Sequence, residues 1–306
     1  MKVKTIVTYL VFAFALAWIL MGLITLLGGD LSSSYATVIL YTIMWMPAAA
    51  VLITKLLNRE TRIMGASFKP KFRGHIRWYL LAWLLPVALV FFGEFLNFCV
   101  FPDSFDAKMG ALRSSLEAAS GNVITDSAVY STLFFGVLLV ITVQVIITML
   151  LTFGEEVGWR GFLFPAVRNR TTEVKANIIC GIIWGLWHAP VIAMGYNFGT
   201  GYWGFPWLGI IGMCVLTTSM GIFLSFLTRK TGSIWPAVLA HSVFNSLAGV
   251  LYSFFLREDY PASANHTFVV FVIQLVIPLL ILGVPLLIVL ARKNGGKDSG
   301  RDVDFV

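Results

Sequence analysis

The chain has 306 residues, 58% of them hydrophobic and only 12% charged, and its mean hydropathy is +0.85. Soluble domains carry about 25% charged residues, so a water-soluble fold is excluded as the default and a polytopic membrane protein takes its place. The net charge of +7 has the sign that nucleic acid attracts, but the placement of the charges argues for a membrane, and no nucleic-acid partner is expected.

Lys2 and Lys4 precede a first apolar run at about 5–27. It is longer than the core of a signal peptide and lacks a clear small-residue cleavage site, so it reads as a retained span. Further runs long enough to cross about 30 Å of hydrocarbon follow at about 36–57, 77–101, 131–155, 177–195, 203–228, 233–256 and 268–291. The longest connection, about 102–130, holds an amphipathic stretch at 105–119 that suits the outer leaflet, a cap on the bundle or, equally, a solvated loop. Cys99, Cys180 and Cys214 fall in apolar runs and read as small core hydrophobes. The expectation is an all-α, single-domain membrane protein over 1–293 with about eight transmembrane helices, followed by a disordered cytoplasmic tail, 294–306.

Eight spans sort the basic residues sharply. Of the 22 Lys and Arg, all but Lys108, Arg113 and Arg257 fall on one side. The positive-inside rule puts that side, and both termini, in the cytoplasm, where the charge also suits anionic lipid headgroups. No internal repeat supports an inverted-repeat transporter.

Three polar elements interrupt the apolar runs. Glu155 and Glu156 stand where the fourth run ends, with Arg160 one turn on. Adjacent helical residues point about 100° apart, whereas positions four apart share a face. Spacing therefore pairs Glu156 with Arg160 and leaves Glu155 the freer carboxylate. Gly154, Gly158 and Gly161 permit close helix approach or a break. The bland reading of this stretch is an ion-pair cluster ending a span. The second element places Trp184 and His188 on one face, with Pro190 positioned to kink the helix beyond. In the third, His241 and Asn245 are neighbours four apart. His75 and His266 read as solvated loop residues.

Ionisable groups inside spans are costly and mark functional sites. Glu155 is placed to deprotonate a water held by His188, which then attacks a peptide carbonyl; His241 and Asn245 can receive the oxyanion. No serine or cysteine pairs convincingly with a base, and Ser242 points to a different face from His241. One geometric difficulty arises. His188 lies about 13 residues, or ~20 Å, into its helix, while Glu155 sits near the inner boundary. Either the fifth helix projects into the cytoplasm or, the favoured solution, the fourth ends beneath a water-filled vestibule.

These elements resemble the CPBP family of intramembrane glutamate proteases, which includes type II CAAX prenyl endopeptidases and bacteriocin-processing or immunity proteins. The pattern E-E-x-x-x-R is met by Glu155, Glu156 and Arg160, and H-x-x-x-N by His241 and Asn245. In F-x-x-x-H, Trp184 replaces the phenylalanine ahead of His188. The resemblance covers about 130–250, the expected catalytic core. It implies an eight-helix bundle in which Glu155 and His188 activate water and His241 and Asn245 form the oxyanion hole. It also implies cleavage at or within the cytoplasmic half of the bilayer. Substrates would be prenylated C-termini, peptide precursors or other membrane-associated proteins.

The resulting expectation is a multi-pass glutamic endopeptidase without a cofactor, in a prokaryotic plasma membrane, with its site opening toward the cytoplasm. Three alternatives stand beside it. Glutamate and two histidines are a familiar zinc set, although H-E-x-x-H is absent. A non-catalytic immunity or regulatory scaffold would bind a membrane partner. An ion or proton transporter could extend a polar path through Glu94 and Gln144.

Overall fold

The computed structural model describes residues 2–58 and 67–295, and among these every regular element is helical. In chain order they are α1 (Val3–Leu26), α2 (Ser34–Ile43), α3 (Met46–Asn58), α4 (Ile76–Val100), α5 (Gly110–Ser120), α6 (Asp126–Arg168), α7 (Glu173–Trp187), α8 (Ala189–Ala193), α9 (Trp207–Thr231), α10 (Trp235–Leu247), α11 (Val250–Phe255) and α12 (Ala264–Arg292). The last helix continues through residue 295, so only its final turn enters the expected tail. Residues 296–306, like Arg59 and Arg62 of the basic side, lie outside the described residues.

Six helices are long and apolar enough to cross a membrane: α1, α4, α6, α9, the α10–α11 pair and α12. The α2–α3 pair, bent by 43°, is apolar enough to make a seventh if its two helices form one span. The chain is therefore an all-helical, multi-pass membrane protein. It differs from the eight-span expectation at 177–195. There α7 has 15 residues, about 22 Å, and stops before His188. Pro190 lacks an N–H and its ring opposes the carbonyl four residues back, so the chain restarts as the five-residue α8.

The fourth expected run differs in the other direction. Its helix does not end at Glu155 and Glu156 but runs 43 residues to Arg168, about 65 Å. It is loosened by π turns at Val140–Gln144 and Trp159–Leu163, a feature frequent at functional sites. Gly154 and Gly158 serve close approach rather than a break. A Cβ at Gly154 would meet the backbone of Met44 and Trp45, and one at Gly158 would meet Pro47 and Tyr9. This continuation removes the depth difficulty. Glu155 lies about 13 residues before the 169–172 turn and His188 about 13 after Lys175, so the α6–α7 hairpin carries both to one depth, ~20 Å from its tip.

Contacts between loops define the two ends of the bundle. At one end Ser67 bridges Ser233, Ser233 Oγ donates to Lys69 O at 3.0 Å, and Arg168 and Arg229 both pair with Glu173. At the other, Phe105 bridges Leu256 and Trp203 N–H donates to Asn265 Oδ1 at 2.8 Å. Part of the segment expected to be amphipathic forms α5 there; Met109 just before the helix is fully buried while α5 itself buries no residue, and α5 is tied to α6 by the Arg113–Asp126 ion pair. His266, expected to be solvated, is instead half-buried between Phe101 and Tyr260.

Small residues let the central helices touch. Thr217 Oγ1 on α9 donates to Gly181 O on α7 at 2.8 Å, and a Cβ at Gly185 would lie 2.5 Å from Cys214 Cα. Backbone cannot yield as a side chain can. Gly185→Ala is expected to cost about 1–3 kcal/mol by overpacking and to lower the melting temperature in detergent. Gly22→Ala, which meets nothing within 4 Å, should be neutral or stabilising by up to about 1 kcal/mol. Equal melting temperatures for the two variants would refute this account of the α7–α9 contact.

Candidate active site

Each polar element of the sequence delivers its side chains to one region at the centre of the bundle. Glu155 and Glu156 leave α6 in different directions, as 100° of helical turn requires. Glu156 is fully buried, and its Oε1 accepts from Arg160 Nη1 at 3.1 Å and from His241 Nδ1 at 2.9 Å. Its Oε2 is buried and has no hydrogen-bond partner among the described residues. Arg160, 3% exposed, lays its guanidinium over the Trp184 ring with Cζ 4.3 Å from the centroid, an arrangement that stabilises a desolvated cation. Glu155 makes different contacts: its Oε2 accepts from Trp184 Nε1 at 2.8 Å and from Trp159 Nε1 at 3.2 Å.

His188 occupies the junction of α7 and α8. Its Nδ1 bonds Trp184 O at 2.9 Å. Because a carbonyl can only accept, Nδ1 carries the proton, and the neutral ring keeps a lone pair on Nε2. The junction is held from outside by α1: Trp187 Nε1 donates to Ala13 O at 3.0 Å, and Trp18 Nε1 to Trp187 O at 3.1 Å. His241, on α10, packs edge-on against Trp184 at 5.2 Å. With its Nδ1 turned to Glu156, Nε2 is the nitrogen left for other partners. Asn245 lies one turn further on, exposed. The neighbouring Ser242 is committed elsewhere, at 2.7 Å from Thr152 Oγ1 and donating to Val238 O.

A cavity of about 400 Å³ opens beside these groups. Glu155, His188, His241 and Asn245 line it, whereas Glu156 and Arg160 stand behind its wall. Its remaining surface is mostly apolar, with Met21, Met44, Met213 and Met220 among the contributors. Methionine adapts to irregular apolar guests, and the size suits a bound segment rather than a lone solvent molecule. Gln144 also lines the cavity and Glu94 does not. Glu94 is buried, 1% exposed, away from the cavity. Among the described residues no three or more His, Cys, Asp or Glu are grouped to hold a metal.

Sequence reasoning assigned no role to Trp159, Tyr196 or Asn197. Trp159 had a findable signal, since it lies four residues after Glu155 and so shares its face. Tyr196 and Asn197 line the cavity from the loop after α8, where no periodicity could point to them.

The fold and site define a multi-pass helical membrane protein with a buried acid–imidazole centre. Residues 136–247, which contain all six site residues, match the family described as Rce1-like, type II CAAX prenyl endopeptidase Rce1-like. Among curated proteins, the chain is 32% identical over 93 residues to CAAX prenyl protease 2 of Methanococcus maripaludis, an alignment covering 30% of this chain and 34% of that protein. It is 26% identical over 208 residues to lysostaphin resistance protein A of Staphylococcus haemolyticus, covering 67% of this chain and 47% of the relative. The chain thus spans about a third and about half the length of these two relatives.

Proposed function

We propose that the chain is an intramembrane endopeptidase that hydrolyses a peptide bond in a prenylated (CAAX-type) or other membrane-associated protein or peptide precursor. The observation that carries this reading is the convergence of Glu155, His188, His241 and Asn245 on one cavity between membrane helices. A water is held between Glu155 and the free Nε2 of His188. Glu155 takes its proton as the water oxygen attacks the scissile carbonyl. The oxyanion that forms is received by the Asn245 amide and by His241 Nε2–H. His241 donates through Nε2 only as imidazolium, because its Nδ1 proton is given to Glu156. With imidazolium present, Glu155 and Glu156 balance Arg160 and His241, so the buried set is neutral overall. Glu155 then passes its proton to the departing amine as the C–N bond breaks.

The name of one relative, CAAX prenyl protease 2, points to prenylated C-termini as the first substrates to try. The end of the bundle that carries Lys69, Arg168 and Arg229 is assigned to the cytoplasm by the positive-inside rule, in a prokaryotic plasma membrane. The cavity lies in the half of the bundle away from that end: its lining runs from Glu155 back to Gln144 on α6 and from His188 on to Asn197 beyond α8.

The test is a cleavage assay in liposomes with prenylated CAAX peptides and short hydrophobic precursor peptides, with and without chelator. Cleavage by the wild type that is lost in Glu155→Gln and His188→Ala, and unaffected by exhaustive chelation, is the expected result. Loss on chelation would move the chemistry to a bound metal. No cleavage of any peptide by folded wild type would favour a non-catalytic scaffold, a role in keeping with the name lysostaphin resistance protein A.

A further inference from the structure

We propose that Trp184 is the positioning residue of the water-activating pair, setting Glu155 through its indole N–H and His188 through its main-chain carbonyl. The inference rests on the glutamate-and-histidine reading above and adds to it the group that holds the two in register. Trp184 is 2% exposed. Its Nε1 donates to Glu155 Oε2 at 2.8 Å, and its backbone oxygen accepts from His188 Nδ1 at 2.9 Å. The face of the ring carries the Arg160 guanidinium, and His241 stands against it at 75°. One residue therefore touches four of the six groups at the site.

The choice of oxygen matters. Both indoles, Trp184 and Trp159, donate to Oε2, and Oε1 receives no hydrogen bond among the described residues. A carboxylate gripped by one oxygen cannot rotate freely, and its second oxygen is presented to the cavity that Glu155 lines. Removing the shorter of the two bonds lets the carboxylate leave the reacting position, which slows the chemical step without altering how substrate binds. Hydrogen bonds to charged groups are strong enough for this loss to reach roughly tenfold or more in rate.

Trp184→Phe removes the N–H and keeps an aromatic ring under Arg160. In the liposome assay it should lower kcat by roughly tenfold or more, with KM unchanged. Trp159→Phe, losing the longer bond, should lower kcat less. Wild-type kcat in folded Trp184→Phe would overturn the proposal, as would a KM increase at constant kcat.

A second measurement stands apart from activity and from the folding of the Phe variants. The chain has 10 tryptophans, and ¹⁵N-indole spectra of the full chain in micelles should show two N–H resonances moving on Glu155→Gln, where a neutral amide oxygen replaces the charged acceptor. Unmoved indole resonances would overturn the contact. If wild type cleaves nothing, the protease reading fails, while the indole spectrum still decides whether Trp184 grips Glu155.

Discussion

Glu155→Gln is expected to lower kcat by roughly 10²–10⁴-fold, the usual worth of a positioned general base, while the protein remains folded. The substitution is nearly isosteric, and the glutamine carbonyl can still accept from Trp184 and Trp159, which reach Glu155 Oε2 at 2.8 and 3.2 Å. The side-chain amide then presents N–H where a proton acceptor stood, so water binding persists but proton removal does not. Because Glu155 lines the cavity and forms no ion pair among the described residues, stability should hardly change. Glu155→Asp makes a useful comparison. It keeps the charge but draws the carboxylate back by one methylene, away from both indoles, so it should recover only a small part of the rate. The measurement is single-turnover peptide cleavage beside a melting curve for each variant. Cleavage within threefold of wild type in folded Glu155→Gln would remove Glu155 from the reaction.

Much of this site was legible in the sequence because its partners lie one helical turn apart. The i, i+4 rule alone identified Glu156 as the partner of Arg160, seen at 3.1 Å. It also put Trp184 beside His188 and His241 beside Asn245. What local spacing cannot give is contact between elements distant in sequence. The bond from His241 to Glu156 spans 85 positions and that from Trp184 to Glu155 spans 29, so neither follows from any one helix.

The fold was legible as a class and less so in its boundaries. Apolar runs locate membrane segments, but they do not say that a helix continues past a charged cluster when that cluster is neutralised inside the protein. Glu156 and Arg160 cancel each other within α6, so the helix had no electrostatic reason to stop at them. Conversely, residues 177–195 are apolar enough to read as a span, yet Pro190 ends the hydrogen-bond ladder at His188. His188 stands at that break and lines the cavity.

Glu156→Leu should produce the largest stability loss, about 3–5 kcal/mol, because removing one partner of a buried pair strands the other. Arg160 is only 3% exposed, and His241 Nδ1 loses its acceptor at the same time. Replacing both members of a buried ion pair by apolar residues is often neutral or stabilising, so the double variant Glu156→Leu with Arg160→Met should regain most of the lost melting temperature. It should not regain activity. The Arg160 charge can be dispensed with once Glu156 is gone, but His241 then lacks both the acceptor that orients its ring and the counter-charge that lets it donate through Nε2. Stability and catalysis should therefore separate in this pair of variants. Recovery of both by the double variant would show that Glu156 acts only as structural glue. Recovery of neither would show that Arg160 stabilises the bundle chiefly through its stacking on Trp184 rather than through its charge.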